Sequence, residues 1–299
     1  MRKKIYCPNP RCSFFAESNP AKFRIVKYGS YRRKCDGRRV VRFRCQACLK
    51  TCSNQSFNPT YHQHKPRINK KVFKLLVHKV SMRGVARVLG IDRKTVTRKF
   101  VWLGERSLRQ HVRFLKRTRG LTEIQADEME TFEHTKCKPL SIALVVSAKT
   151  RHILAAEVSV MPAKGKIAAA SRKKYGRRRD DRKQMFQHAL EVVKPCCDAN
   201  LLVTTDMKPA YRNWIDGVLP NATHEATKGR RGCVVGYGEL KRGGFDPLFS
   251  LNHTAGMIRD NLARMLRKTW CTTKKMESLR TALIMYIVEH NTSRVAEVV

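Results

Sequence analysis

Residues 121–161 read LTEIQADEMETFEHTKCKPLSIALVVSAKTRHILAAEVSVM. Three stretches rich in β-formers lie here, 121–135, 138–148 and 151–161, with Lys149 and Thr150 at the second turn. Apolar runs of this length between short polar turns predict three consecutive strands in an antiparallel meander. Downstream come a helical stretch, MFQHALEVV (185–193), a strand, NLLVTTD (200–206), a helix through 211–219 and a short strand near 223–228. The order β-β-β-α-β-α predicts a mixed sheet flanked by helices. It sets the ends of the first and fourth strands side by side. Asp127 lies on the first strand and Asp206 ends the fourth, so two carboxylates are expected to converge. Such a pair suits hard divalent cations, magnesium or manganese, of the kind that assist hydrolysis and transfer at phosphates. Taken alone, each Asp also has a plainer reading, a strand-edge charge at 127 and a helix cap at 206.

The chain upstream has a different chemistry. Residues 1–120 hold 33 Lys and Arg against four acids, whereas residues 121–299 hold 30 against 19. The formal net charge is +40 over 299 residues. That much charge repels itself unless something anionic neutralises it, and nucleic acid is the first candidate. A plain nucleic-acid coat has little use for the acids that return after residue 120. No apolar run approaches the length of a membrane span, and the basic start MRKK leads to no signal-peptide core. A cytoplasmic, nucleoid-associated protein of bacterial type is expected, with no membrane partner.

Six of the eleven cysteines fall within residues 1–55. Cys7 and Cys12 (CPNPRC) and Cys45 and Cys48 (CQAC) form two pairs at tight turns, and the alternating RRVVRFRC between them predicts a hairpin strand. Four thiolates on two turns suit one tetrahedral zinc. Cys35 and Cys52 are spare thiols that compete for the role. Residues 56–67, polar with two prolines, are expected to be a linker. Residues 68–119 predict helices at 68–80 (INKKVFKLLVHKV), 81–90 (SMRGVARVLG) and 92–103 (DRKTVTRKFVWL), then a separate basic helix. Ser81 and Asp92 are the expected N-caps, and Val85, Ala86, Val88 and Leu89 are expected to face inward. A small residue in one helix, Gly90 at the turn and Val96 in the next is helix-turn-helix spacing. The recognition helix is expected to offer Arg93, Lys94, Thr95, Thr97 and Arg98 to a DNA groove.

In that order, a cysteine ribbon, a helix-turn-helix, a strand with ADEME, a strand ending TTD and a basic C-terminal helix, the chain resembles insertion-sequence transposases of the DDE class. The resemblance covers nearly its whole length. It implies an α+β multidomain protein: a zinc ribbon (1–55), a linker (56–67), a helix-turn-helix domain (68–119) and an RNase H-like catalytic domain (120–299). It implies metal-dependent strand cleavage and transfer at the element's own terminal inverted repeats, with zinc and magnesium as cofactors. It also implies at least a dimer on DNA. Asp127 and Asp206 match the first two catalytic carboxylates. Where the family places a Glu, this chain has Asn252, followed seven residues later by Arg259, which the resemblance sets against DNA. Asn252 is then the third site residue, a neutral one; its plainer reading is a helix cap. Glu239, in GYGELK, is the rival. Glu128 and Glu130 are expected on the face of the first strand opposite Asp127 and Met129. A DNA-binding regulator with a non-catalytic second half is the alternative function.

Overall fold

The computed structural model describes residues 5–15, 24–34, 37–228, 246–265 and 271–297. The chain divides into two compact units, Met1–Ile68 and Asn69–Val299.

The first unit is built on a three-stranded antiparallel sheet: β1 (Ile25–Arg32), β2 (Arg39–Cys45) and β3 (Thr51–Ser53), in the order β1-β2-β3. The alternating RVVRFRC is β2, with Val40 and Cys45 buried. Beyond β3 the polar segment is a series of turns, and Phe57 packs against Tyr6 with ring centroids 4.4 Å apart.

The second unit opens with α1 (Asn69–Val77), α2 (Met82–Val88) and α3 (Arg93–Arg117). Both expected caps are present. Ser81 Oγ accepts from the Gly84 amide at 3.1 Å, and Asp92 Oδ1 accepts from the Lys94 amide at 2.6 Å. Gly90 makes the turn between α2 and α3 at φ +59°, the left-handed region where a side chain is strained. Two details depart from expectation. Val88 is 66% exposed, because the buried stripe of α2 runs through Val85. The basic helix after residue 103 is not separate: α3 runs unbroken for 25 residues. Continuity follows from the absence of any breaker but Gly104, and Gly104 is a packing position. A Cβ there would meet Thr281 Cγ2 at 2.4 Å, so the glycine lets the C-terminal helix lie close.

The sheet follows, with order β6-β5-β4-β7-β8. β4 (Leu121–Phe132), β5 (Pro139–Ser147) and β6 (Ile153–Val160) are the expected antiparallel meander. β7 (Cys197–Thr205) runs parallel to β4, and β8 (Thr223–Ala226) parallel to β7. Between β6 and β7 lie α4 (Ala168–Tyr175) and α5 (Arg182–Val193). The basic stretch after β6 therefore contains a helix that its charge conceals. α6 (Ala210–Asp216) connects β7 to β8, and α7 (Phe249–Asn261) and α8 (Met276–Glu297) complete the described chain. The sequence LNHTAGMIRDNLARMLRKTW predicts a helix over 251–270, but α7 ends at Asn261, with Leu262 already extended, and residues 266–270 lie outside the described residues.

The core explains the layering. α5 buries Phe186, Ala189, Leu190 and Val193, spaced i, i+3, i+4, i+7, against Ile124, Ala126, Ala143, Val145 and Val203 of the sheet. Each large apolar side chain buried there contributes about 1.5–3 kcal/mol relative to exposure. β5 is buried along nearly its whole length, as an interior strand covered on both faces must be.

Candidate functional site

The parallel pairing of β4 with β7 ends at Ala126 and Thr205. Asp127 and Asp206 are the next residues on each chain, so the two carboxylates stand where β7 stops covering β4. Their proximity shows in their electrostatics. The Asp127 carboxyl is pushed up to about 6, first by burial and further by the charges of Asp206 and Glu128. Asp206 does not cap a helix directly. Its Oδ1 accepts from the Lys208 amide at 3.1 Å, in a turn that leads through Pro209 into α6.

α6 supplies the groups around Asp127. Tyr211 stacks on Phe186 (centroids 4.7 Å, planes 15° apart), with Trp214 edge-on at 5.6 Å. From this aromatic seat the Tyr211 hydroxyl donates to Asp127 Oδ1 at 2.8 Å. The Glu128 amide donates to the same oxygen at 2.6 Å. Burial and the adjacent carboxylates push the Tyr211 phenol far up, so it stays protonated and remains a donor. Glu128 belongs to this cluster as well. It accepts from the Ser141 hydroxyl (2.9 Å) and from the Lys208 ammonium, and its Oε2 lies 3.4 Å from the Tyr211 hydroxyl. Lys208 lies over the Tyr211 and Trp214 rings, 4.7 and 4.3 Å from their centroids. Strand alternation puts Glu128 in the row of Ala126, away from Asp127, yet one tyrosine at the strand's edge reaches both.

Gln125, two residues before Asp127 and so on its face of β4, fastens α7. Its amide donates to the Pro247 carbonyl (2.8 Å), and its oxygen accepts from the Leu251 amide (2.9 Å). The first turn of α7 is thereby held against the face of β4 that carries Asp127. Asn252 lies in that turn, exposed, and its amide donates to Asp246 Oδ2 at 2.8 Å. It is the fourth residue of α7 and not its cap; Asp246 Oδ1 accepts from the Leu248 amide (3.1 Å) at the helix start. Arg259 is half-buried in the last turn of α7, the end where the Asn261 carbonyl accepts from the Lys79 amide. Glu239 lies outside the described residues.

On α3, Arg93, Lys94, Thr97 and Arg98 are exposed and Thr95 is half-buried, while Val96 and Phe100 are buried behind them. Arg93 and Thr97 line a cleft shared with Met82, Arg83 and Arg264, whereas Lys94 and Arg98 do not. In the first unit, Cys7 Sγ and Cys48 Sγ lie 3.5 Å apart, and Cys12 Sγ and Cys45 Sγ 3.8 Å apart. All four sulfurs fall within 4.8 Å of one another. Tetrahedral zinc with bonds near 2.3 Å sets sulfurs about 3.8 Å apart, so this group fits the ion. Burial pushes the Cys7 thiol up to about 12, and a backbone hydrogen bond at Lys50 brings Cys48 down to about 6. Of the spare thiols, buried Cys52 points at the Tyr6 carbonyl (3.9 Å), and Cys35 lies outside the described residues.

No family model matches the chain, and neither does any curated protein sequence. Solved structures do. The crystal structure of the Mos1 strand transfer complex is similar over 79% of this chain and 80% of that one, at 10% identity and a TM-score of 0.30. A likeness that loose carries no argument, and function rests on the residues. No described helix is long and apolar enough to cross a membrane.

Proposed function

We propose that the chain is a DNA transposase that cuts and joins strands at the ends of its own element. The observation that carries this reading is the placing of Asp127 and Asp206 just past the last paired residues of two adjacent parallel strands. Two mutually repelling carboxylates in a partly buried site call for a cation, and oxygen donors select a hard one. Asp127 and Asp206 would hold magnesium or manganese. When bound, such an ion acidifies an attacking water or 3′-hydroxyl and neutralises charge on the leaving oxygen.

The chain's own groups have complementary parts. Tyr211 fixes Asp127 through Oδ1, which leaves Oδ2 to meet a cation. Lys208 holds Glu128 and offsets part of its charge beside Asp127. Gln125 sets the start of α7, and with it Asn252, on the same face of β4. Asn252 is the proposed third site residue, able to supply a neutral oxygen, and Arg259 a contact to the DNA backbone. Lys94 and Arg98, with Arg93, Thr95 and Thr97, read element-end DNA, and four cysteines hold a structural zinc. The strand chemistry requires two element ends together, and so at least two protomers.

A DNA-binding regulator would share the helix-turn-helix but not the use of the carboxylates. Cleavage of duplexes carrying the sequences that flank the gene, with magnesium or manganese, separates the two. Asp127→Asn is expected to abolish cleavage and leave DNA affinity within a fewfold of the parent. Binding without cleavage by the parent protein, in either metal, would establish the regulator.

A further inference from the structure

Residues 162–183, PAKGKIAAASRKKYGRRRDDRK, carry ten Lys and Arg against two Asp. They connect β6 to α5 and contain α4. A charge run of this kind is ordinarily a solvated face. Here three observations give it a specific place and shape.

The first is position. Lys164 pairs with Glu130 at 3.1 Å, three residues beyond Asp127 on β4. Arg182, forked onto Asp180, also feels the charges of Glu128 and Glu130. Asp180 in turn feels Lys208. The start of the segment thus lies against β4 three residues from Asp127, on the Glu128 side of the strand, and its end lies within electrostatic reach of Glu128 and Lys208. The second is anchoring. The Arg178 guanidinium donates to the carbonyls of Met161 and Pro139, both at 3.2 Å. The Ser171 hydroxyl donates to the Cys137 carbonyl at 2.6 Å, and Lys138 lies 4.8 Å over the Tyr175 ring. The third is presentation. Arg172, Lys173, Lys174, Arg177 and Arg179 are all exposed. Arg172, Arg177 and Arg179 line a concave surface of about 520 Å³ with Pro162 and Ser171. Of these cations only Arg179 meets an acid within the segment, Asp181 at 3.3 Å among the described residues. Like charges packed this closely on an anchored loop repel unless a polyanion lies against them.

We propose that residues 162–183 form a second DNA-contacting surface, separate from the recognition helix, that grips the phosphate backbone of duplex DNA beside Asp127 and Asp206. The surface reads no bases. Its cations are flexible side chains on a fixed backbone, suited to phosphates of any sequence. The proposal rests on the reading that the protein acts on DNA.

The test uses the full chain with benzoylphenylalanine placed singly at Lys173, Arg177 or Lys94, irradiated with a labelled mixed-sequence duplex. Cross-links at 173 and 177 as well as 94 are expected. A cross-link at 94 alone would overturn this surface and leave the recognition helix intact. Failure at all three would overturn DNA binding itself. Cross-links at 173 and 177 that form only to RNA, with excess duplex ignored, would also overturn the proposal. The quadruple variant K173A/K174A/R177A/R179A should keep its melting temperature. Its plot of log affinity against log salt should flatten by about 2–4, since each lost phosphate contact removes about 0.9. An unchanged slope overturns the proposal as well.

Discussion

Asp127 carries a cost that the fold accepts for a purpose. Its carboxyl is harder to ionise in the folded chain, near 6, than at its ordinary value of 3.8. A group of this kind takes up protons on folding, so its penalty is complete above about pH 6 and disappears below about pH 4. Without divalent metal, Asp127→Asn should therefore stabilise the protein at pH 7.5 by about 1–3 kcal/mol, and hardly at all at pH 4. In a unit of this size that is roughly 2–12 °C in melting temperature. Magnesium should raise the melting temperature of the parent and not of the variant. A variant no more stable than its parent at pH 7.5 would show that the carboxyl is not strained. The position of this Asp was legible in the sequence, because a charge stood among apolar strand residues. Its surroundings were not. Tyr211 and Trp214 read as ordinary amphipathic helix positions, and nothing local says that a ring stacked on Phe186 will deliver its hydroxyl to a strand 84 residues earlier. Glu128 was misleading for a related reason. Alternation gives the direction of a side chain but not the length of the partner that reaches around the edge to meet it.

At the scale of elements, α3 and α7 carry the two interactions with most consequence. The N-cap at Asp92 and the turn at Gly90 follow from local chemistry and were legible. The union of the first turns of α3 with the basic helix after residue 103 was not, because Gly104 looks like a breaker until Thr281 is seen against it. Replacing Arg93 and Lys94 together with Ala should weaken DNA binding and lower its salt dependence by about 1–2 in log-log slope. If only Lys94 matters, the side of α3 that faces the Arg264 cleft is turned away from DNA. On α7, Asn252 gives its amide to Asp246, a partner that no helical periodicity identifies, since Asp246 precedes the helix. Asn252→Ala removes one exposed hydrogen bond and should cost about 1 kcal/mol or less of stability. Measured on the same protein, its cleavage rate should fall at least tenfold and recover better with manganese than with magnesium, because manganese binds a weakened site more tightly. It should also fall further than in Glu239→Ala. Full cleavage by the Asn252→Ala protein would remove this residue from the site.

The whole molecule combines two compact units whose sequences speak differently. The first is legible because cysteine spacing is a strong constraint: two pairs on two turns leave few ways to bring four sulfurs within 4.8 Å. One zinc per chain is the expected result of metal analysis, and a folded preparation free of zinc would contradict it. The second is legible as a strand order, because long apolar runs and short turns restrict the sheet to few topologies. The helix α4 was hidden in its basic stretch because charge masks helical periodicity. The central claim is that the carboxylate pair performs strand transfer. Its most direct measurement is the joining of a labelled duplex, bearing the gene-flanking sequence and a free 3′-hydroxyl, to a supercoiled plasmid, by the parent protein and by Asp206→Asn. A covalently joined product that requires magnesium or manganese, and is lost in the variant while DNA binding persists, is the predicted result. No joined product from the parent in either metal, or an equal yield from Asp206→Asn, would contradict the account.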